Sequence, residues 1–208
     1  MVIAFEGIDG TGKTTISKLL FSELKSVFNG EVFWFSEPSP TDLGKSLKNI
    51  LTSKKLELNI FEQSLLFTSD RSYLLRNYIL PYNEVKKIIL MDRSFVSTYA
   101  YQIMNIEDNT LKNIITSITE YSIKNFYIDI LFYLDCDPEV SLSRIEVKDG
   151  IESKGLEYIR KVKNNYDAFI RQKHPHIRNI KIVDAKGKLE DIFSHVKSEV
   201  IKITGYIA

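Results

Sequence analysis

Five short, mostly apolar runs recur along the chain, and segments with helical spacing separate them. The runs are Val2–Phe5, Glu31–Phe35, Lys87–Met91, Ile128–Leu134 and Ile180–Val183. Such continuous runs are typical of parallel strands that helices cover on both faces. The last segment carries an apolar stripe with helical spacing at Leu189, Ile192, Phe193, Val196 and Val200. The pattern predicts an α/β fold in one domain, residues 1–208, with a five-stranded parallel sheet and helices on both faces.

A glycine-rich loop joins the first predicted strand to the first predicted helix. The loop reads Gly7-x-x-x-x-Gly12-Lys13-Thr14, which is the P-loop pattern in its strand–loop–helix context. Helical spacing then follows in the apolar residues Ile16, Leu19, Leu20, Leu24, Val27 and Phe28. Glycines let backbone amides converge on a phosphate, the lysine adds positive charge, and the threonine hydroxyl suits Mg²⁺. The loop therefore predicts binding of a nucleoside triphosphate.

Ligands of doubly wound folds bind beyond the carboxyl ends of the strands. This rule selects the P-loop, residues 36–41, the segment from Asp92 onward and the segments after Asp135 and Asp184. A carboxylate at Asp92 can hold Mg²⁺ through water, and the guanidinium of Arg93 can grip a phosphate. A purely structural Asp92–Arg93 ion pair is the alternative.

Two helical segments carry further candidates. Ser97, Thr98 and Tyr101 share one face after Asp92, since they are three and four residues apart. Upstream, Phe67 and Arg71 are also four residues apart, so one face could stack a ring on a flat base and bind its edge. Taken alone, Phe67 fits a core residue better than a ligand-binding one.

Composition limits the function classes. The 208 residues are 44% hydrophobic and carry a net charge of +1, with no run of basic residues. This argues against a dedicated nucleic-acid or membrane surface, and no apolar run approaches a membrane span. Cys136 is the only cysteine, so we expect a small buried residue, no internal disulfide and a cytoplasmic location. The first apolar run stops at Glu6, so we expect no signal peptide.

Together these segments resemble the thymidylate kinase family. The matching stretches are FEGIDGTGKTT, EPSPT, LLFTSDR, DRSFVSTYAYQ, LFYLDCDPEVSLSRI and IVDAKGKLEDI, and they cover most of the chain. The resemblance implies a P-loop nucleoside monophosphate kinase fold with a short lid near residues 145–155. It also implies the reaction ATP + dTMP → ADP + dTDP with Mg²⁺, no covalent intermediate and a homodimer.

The resemblance also implies roles for the dTMP side of the site. Phe67 would stack on thymine, Arg71 would donate to the base's exocyclic oxygen, and Thr98 would recognise the N3 edge. Tyr101 would exclude a ribose 2′-hydroxyl. Arg93 would hold the acceptor phosphate, and Asp9 would face the acceptor's sugar hydroxyl and the metal. The expected dTMP-binding set is Asp9, Glu37, Phe67, Arg71, Arg93, Ser97, Thr98, Tyr101 and Gln102.

For the ATP side, the resemblance implies that Arg144 packs on adenine and that backbone groups of Ala185 and Lys186 contact it. The expected ATP-binding residues of the P-loop are Gly7, Asp9, Gly10, Thr11, Gly12, Lys13, Thr14 and Thr15. Thr14 and Asp92 are the expected Mg²⁺ residues. The expected catalytic residues are Lys13, Arg93, Asp9, Lys148 and Lys154.

The chain departs from the family pattern at three places. Ser94 replaces the usual aromatic residue or histidine after Asp-Arg, and Gly10 stands where some members carry a catalytic P-loop arginine. The predicted lid contains no arginine, so Lys148 and Lys154 are its only cations. Which of them acts, or whether Arg144 or Arg160 reaches the site, stays open.

Two other functions remain as alternatives. The first is a kinase for another deoxynucleoside monophosphate or for a nucleoside, because dUMP differs from dTMP by one methyl group. The second is a nucleotide-dependent switch without kinase chemistry. A GTPase would need a guanine-reading Asn-Lys-x-Asp motif, which this chain lacks.

Overall fold

A parallel five-stranded sheet forms the centre of the molecule. The computed structural model describes residues 1–53, 56–81, 86–145 and 155–204. The strands are β1 (Val2–Glu6), β2 (Glu31–Ser36), β3 (Lys87–Asp92), β4 (Ile128–Asp135) and β5 (Ile177–Asp184). Their order is β2-β3-β1-β4-β5, and all neighbours are parallel. This confirms the predicted α/β fold class.

Helices connect the strands. They are α1 (Lys13–Val27), α2 (Asp42–Thr52), α3 (Ile60–Leu74), α4 (Phe95–Tyr101), α5 (Asn109–Ile123), α6 (Pro138–Ser143), α7 (Leu156–Arg171) and α8 (Leu189–Thr204). A π-helical turn, Leu75–Ile79, continues α3, and a 3₁₀ turn, Ile103–Asn105, follows α4. Among the described residues, no helix combines the length and apolar character that crossing a bilayer requires.

Side chains that alternate along the strands supply two cores, one on each face of the sheet. In β1, Ala4 packs on the face that α4 and α7 cover, while Ile3 and Phe5 pack on the face that α1 and α8 cover. Successive strand residues point to opposite faces, so one apolar run serves both cores. Because both faces of the sheet pack in a core, β1, β3 and β4 are continuous apolar runs.

The edge strand β5 departs from the prediction. It begins at Ile177 rather than at Ile180, because its first residues pair with β4 from Ile128 onward. Ile182 is 60% exposed. The expectation of strands covered on both faces is therefore wrong for this edge.

The apolar stripes predicted for α8 and α1 are buried at most of their positions. Ile192, Val196 and Val200 of α8 are buried. In α1, however, Leu19 and Val27 are 40% and 44% exposed, so the buried stripe is narrower than the apolar spacing suggested. Cys136 is buried and free, as expected. The predicted lid falls mainly outside the described residues, which include only its ends, Ile145 and Gly155.

Candidate active site

The strand order brings the P-loop and the Asp92 segment to the same edge of the sheet. β1 pairs directly with β3, and Phe5 lies opposite Asp92 in the register. The chain direction around the sheet reverses at β1, whose neighbours are β3 and β4, and such switch points form ligand crevices. Asp92 therefore lies beside the P-loop.

A cavity of about 500 Å³ opens above the P-loop. We call it the donor cavity; it is lined by Asp9, Gly10, Thr11, Gly12, Lys13, Thr14, Thr15, Glu37, Asp92, Arg93, Arg144, Gly187, Leu189 and Ile192. Gly10 and Gly12 have φ angles of 80° and 89°, a region that favours glycine, so the loop can curve around its own amides. A cradle of amides at the start of α1 suits phosphate groups.

Lys13 lies at the floor of the donor cavity and is almost wholly buried. Its ammonium donates to the Ile8 carbonyl at 2.7 Å and lies 4.0 Å from the Asp9 carboxylate. Burial and the nearby positive charge of Arg93, opposed by Asp9, together lower the Lys13 pKa to about 8. A bound phosphate would supply the negative charge that favours the protonated lysine.

Thr14 and Asp92 meet across the β1–β3 junction. The Thr14 hydroxyl donates to Asp92 Oδ2 at 2.5 Å. The other carboxylate oxygen, Oδ1, is buried and has no hydrogen-bond partner within the described part of the chain. A buried carboxylate oxygen of this kind is costly to leave unpaired. Hydroxyl and carboxylate oxygens are ligands that Mg²⁺ accepts, directly or through its waters, so the pair fits this metal.

A second cavity of about 360 Å³ adjoins the first. We call it the acceptor cavity; it is lined by Asp9, Glu37, Pro38, Lys48, Leu51, Thr52, Phe67, Arg71, Arg93, Ser97, Thr98, Tyr101 and Gln102. It therefore contains every residue that the sequence assigned to the dTMP side. Asp9, Glu37 and Arg93 line both cavities.

Arg71 is fixed at the base of the acceptor cavity by two partners. Its Nε lies 2.9 Å from one Glu37 oxygen, and its Nη2 donates to the other at 2.6 Å and to the Thr98 hydroxyl at 2.8 Å. The remaining Nη1 is buried and, among the described residues, has no hydrogen-bond partner. Because Glu37 and Thr98 hold the guanidinium rigidly, Arg71 Nη1 is a fixed donor for a polar ligand atom.

Phe67 is half-buried and belongs to none of the buried core clusters. It lies one helical turn before Arg71 on α3 and lines the acceptor cavity. Phe67 therefore has the surroundings of a cavity-lining residue and not those of a core residue. Its ring and the Arg71 guanidinium are available to the same ligand.

Asp9 and Arg93 form the junction between the cavities. Their side chains make an ion pair, and Tyr101 donates to Asp9 Oδ2 at 3.1 Å while its ring lies 5.3 Å from the Arg93 guanidinium carbon. Burial opposes ionisation of Asp9, but the charges of Arg93 and Lys13 and the Tyr101 hydrogen bond lower its pKa. At this edge of the sheet, Arg93 therefore forms its ion pair with Asp9 of the P-loop, whereas Asp92 accepts a hydrogen bond from Thr14.

The expected adenine-side residues lie at the far end of the donor cavity. The guanidinium of Arg144 donates to the carbonyls of Ala185 at 2.7 Å and Lys186 at 2.8 Å. Ala185 and Lys186 are not themselves among the cavity-lining residues; Gly187 and Leu189 take that place. Gly7 also lies outside the lining, and a side chain there would collide with the Leu134 carbonyl.

Four other candidate residues remain, of which the structure describes two. The Ser97 hydroxyl is engaged by Arg93, Glu6 and Tyr166, although the residue lines the acceptor cavity. Arg160 pairs with Glu139 and Glu157 and lines neither cavity. Lys148 and Lys154 lie outside the described residues, so their assignment stays a prediction.

Sequence reasoning missed part of the acceptor cavity. Pro38, Leu51 and Thr52 line it, as does Lys48, an exposed lysine of α2. Lys48 is one of many lysines, and it lies near this cavity because α2 packs against α3. The helical position of Lys48 with Leu51 and Thr52, three and four residues apart, was the available signal.

Comparison with known proteins finds a matching family model and several similar proteins. Residues 5–196 match the family model described as Thymidylate kinase. A thymidylate kinase of Thermosipho africanus is 33% identical over 206 residues, which are 97% of this chain and 98% of that protein. One of Finegoldia magna is 30% identical, with 97% and 98% covered. A probable thymidylate kinase of Methanocaldococcus jannaschii is 38% identical over 168 residues, 80% of this chain and 79% of that protein.

Proposed function

The chain belongs to the thymidylate kinase family, so it phosphorylates dTMP to dTDP with ATP, and we propose that the reaction occurs where the two cavities meet. The observation that carries this proposal is the sharing of Asp9, Glu37 and Arg93 by both cavities. A phosphate-binding loop on one side and a cavity with a ring and a fixed guanidinium on the other can align two nucleotides through their phosphates. Transfer then needs no relay through the protein.

On the donor side, the loop amides and Lys13 bind the phosphates of ATP. Thr14 and Asp92, whose Oδ1 has no hydrogen-bond partner among the described residues, would hold Mg²⁺ directly or through water. When bound, the ion neutralises phosphate charge and helps to fix the geometry of the transferred group. Arg144, braced by backbone carbonyls, offers a flat cation near the expected adenine position.

On the acceptor side, Phe67 stacks on thymine and Arg71 Nη1 donates to an exocyclic oxygen of the base. Glu37 and Thr98 hold that guanidinium in place. Arg93 grips the phosphate of dTMP, and Lys48 adds positive charge at the cavity rim. The bulk of Tyr101, tied to Asp9, leaves no room for a ribose 2′-hydroxyl.

The chemistry requires positioning more than proton transfer. The second pKa of a phosphate monoester is about 6, so dTMP is largely dianionic at neutral pH and needs no general base. The protein's task is to bring two anions together and to exclude water, which would otherwise accept the phosphoryl group. Lys13 and Arg93 provide positive charge within the described site. We propose that Lys148 and Lys154 add charge from the lid, because Arg160 is engaged by acidic partners.

We further propose a homodimer that forms through α2, α3 and α5. Leu43, Leu65 and Tyr121 of these helices are 42%, 39% and 70% exposed, and they line a groove of about 590 Å³. A second copy of the same surface would cover these apolar side chains.

A cytoplasmic location accords with the free thiol of Cys136 and with a need for ATP.

The direct test is ADP formation from ATP and Mg²⁺ with a panel of acceptors: dTMP, dUMP, dCMP, dGMP and the ribonucleotide of thymine. We expect the highest kcat/KM with dTMP and little ADP without an acceptor. The preference over dUMP should be modest, because one methyl group is worth about 1–3 kcal/mol.

Two variants serve as controls for this test. Lys13→Ala should lower acceptor-dependent turnover by orders of magnitude, whereas Lys18→Ala, on the exposed side of the same helix, should keep it. ADP release that is equally fast with and without acceptors would identify a nucleotide switch or hydrolase instead.

A further inference from the structure

Glu6 is a fully buried carboxylate that lines neither cavity. It ends β1 and immediately precedes the P-loop, and its side chain is 0% exposed. Oε1 accepts from the Ser94 amide at 2.6 Å, the Ser94 hydroxyl at 2.8 Å and the Ser97 amide at 3.2 Å. Oε2 accepts from the hydroxyls of Ser97 and Tyr166, each at 2.8 Å. A buried carboxylate needs such a full set of donors to be tolerated.

The same two hydroxyls contact Arg93. Its Nη1 donates to Ser97 Oγ at 3.1 Å and to Tyr166 Oη at 3.4 Å. Each hydroxyl can therefore accept from the guanidinium and donate its proton to Glu6. The carboxylate and the guanidinium are joined through two parallel hydroxyl bridges, and the negative charge lies behind Arg93, away from the cavities.

Glu6 also fixes the backbone that carries Arg93. Arg93 has a φ angle of 74°, a left-handed conformation that is unfavourable for a non-glycine residue. The amides of Ser94 and Ser97, directly after this turn, both donate to Oε1. The pKa of Glu6 is raised above its usual range, mainly by burial, and the Arg93 charge and the hydrogen bonds from Ser97, Ser94 and Tyr166 limit this rise.

We propose that Glu6 is a positioning residue for the acceptor phosphate, acting on Arg93 through the hydroxyls of Ser97 and Tyr166. The inference rests on the proposed role of Arg93 in holding the phosphate of dTMP. Tyr166 belongs to α7, the helix that follows the predicted lid. The network thus connects β1, the Arg93 turn and α7 around one carboxylate. Ser94, one of the three departures from the family pattern, is part of it.

Tyr166→Phe tests the proposal with little disturbance of packing, because it removes one bridging hydroxyl and keeps the ring. We expect its Kd and KM for dTMP to rise about tenfold or more, as for loss of a hydrogen bond to a charged group. The KM for ATP should stay within about twofold, since the donor cavity does not include Tyr166. Binding of dTMP without ATP is measured by calorimetry.

Tyr133→Phe is the matched control. The ring of Tyr133 stacks on Tyr166 with centroids 5.6 Å apart, and its hydroxyl donates to Asp167 of the same helix at 2.8 Å. The substitution removes a tyrosine hydroxyl from the same helix interface without touching Arg93. It should leave Kd and KM for dTMP unchanged.

Glu6→Gln keeps the shape of the side chain but removes its charge. We expect it to weaken dTMP binding at least as much as Tyr166→Phe does, and the double variant to lose less than the product of the two effects. If Glu6→Gln does not fold, Tyr166→Phe carries the test. A parallel change in the dTMP and ATP constants, or unchanged dTMP binding, would overturn the inference. A wild-type protein without dTMP-dependent turnover would instead overturn the proposed function.

Discussion

At the scale of single residues, Lys13 has the most informative chemistry. Burial lowers its pKa to about 8, so the free protein begins to lose the lysine proton just above neutral pH. The phosphates of ATP favour the charged lysine and raise its pKa on binding. Above pH 8, binding must then take up a proton, and the affinity for ATP must fall as pH rises through the pKa of the free protein.

This proton uptake is measurable by titration calorimetry at pH 8.5 in buffers with different ionisation enthalpies. The last ionisation of a phosphate group lies near a pKa of about 6 and is complete at this pH, so the nucleotide contributes little. We expect a binding enthalpy that depends on the buffer and a weaker affinity at pH 9 than at pH 7. Equal enthalpies in all buffers would show that Lys13 does not titrate.

Tyr101 gives a prediction about sugar selectivity. Its ring lies against Arg93, and its hydroxyl donates to Asp9. Tyr101→Ala opens space at the predicted 2′ position, so the kcat/KM ratio of ribonucleotide to deoxynucleotide acceptor should rise. Tyr101→Phe keeps the bulk and loses only the hydroxyl, so that ratio should stay near the wild-type value. The assignment fails if Tyr101→Ala leaves the ratio unchanged.

Residue roles differ in how far the sequence could reveal them. The P-loop motif predicts Lys13 and Thr14 directly, because its spacing is itself the geometry of a phosphate-binding loop. Phe67 needed the family resemblance, because helical spacing alone does not separate a stacking ring from a core residue. The network of Glu6 was missed because its partner Tyr166 is 160 positions away in the chain, and no local pattern reports such a contact.

At the scale of secondary-structure elements, the P-loop packs tightly against α6. A β-carbon at Gly10 would lie 2.1 Å from the Ser141 carbonyl oxygen, and the φ angle of Gly10 is 80°. Both features exclude larger residues, so the P-loop arginine of some family members has no room here. Gly10→Ala should therefore lower the free energy of unfolding by about 1–3 kcal/mol and weaken ATP binding.

Denaturant unfolding and ATP titration measure both effects. Gly187→Ala is the control for stability, since no heavy atom of the described residues lies within 4 Å of the added carbon. Its unfolding free energy should change by less than about 0.5 kcal/mol. An equally small change for Gly10→Ala would contradict the close packing of the P-loop on α6.

Elements in the middle of the sheet were the easiest to predict. β1, β3 and β4 are covered on both faces, so nearly every residue is apolar and the run marks the strand. β5 lies at an edge, and its first half carries Arg178 and Asn179, which hid its start. Prediction of the buried face of a helix has a similar limit. Apolar spacing does not reveal how wide that face is, and Leu19 and Val27 of α1 are exposed although they belong to the apolar pattern.

At the scale of the whole molecule, the proposed dimer predicts a doubling of mass. The chain has a mass of 24.1 kDa. Leu65→Lys places a charge in the groove between α2, α3 and α5 and should yield a monomer in light scattering. Val27→Lys changes an equally exposed apolar residue on α1 and should leave the dimer intact. A wild-type protein that runs as a monomer would refute the interface.

In the proposed complex, dTMP and ATP meet tail to tail across Asp9 and Arg93. A crystal structure with dTMP, a non-hydrolysable ATP analogue and Mg²⁺ is the sharpest test of this arrangement. We predict thymine against the Phe67 ring with its edge on Arg71 Nη1, and the dTMP phosphate on Arg93, facing the terminal phosphate above Lys13. Thymine outside the acceptor cavity, or a dTMP phosphate turned away from Arg93, would contradict the account.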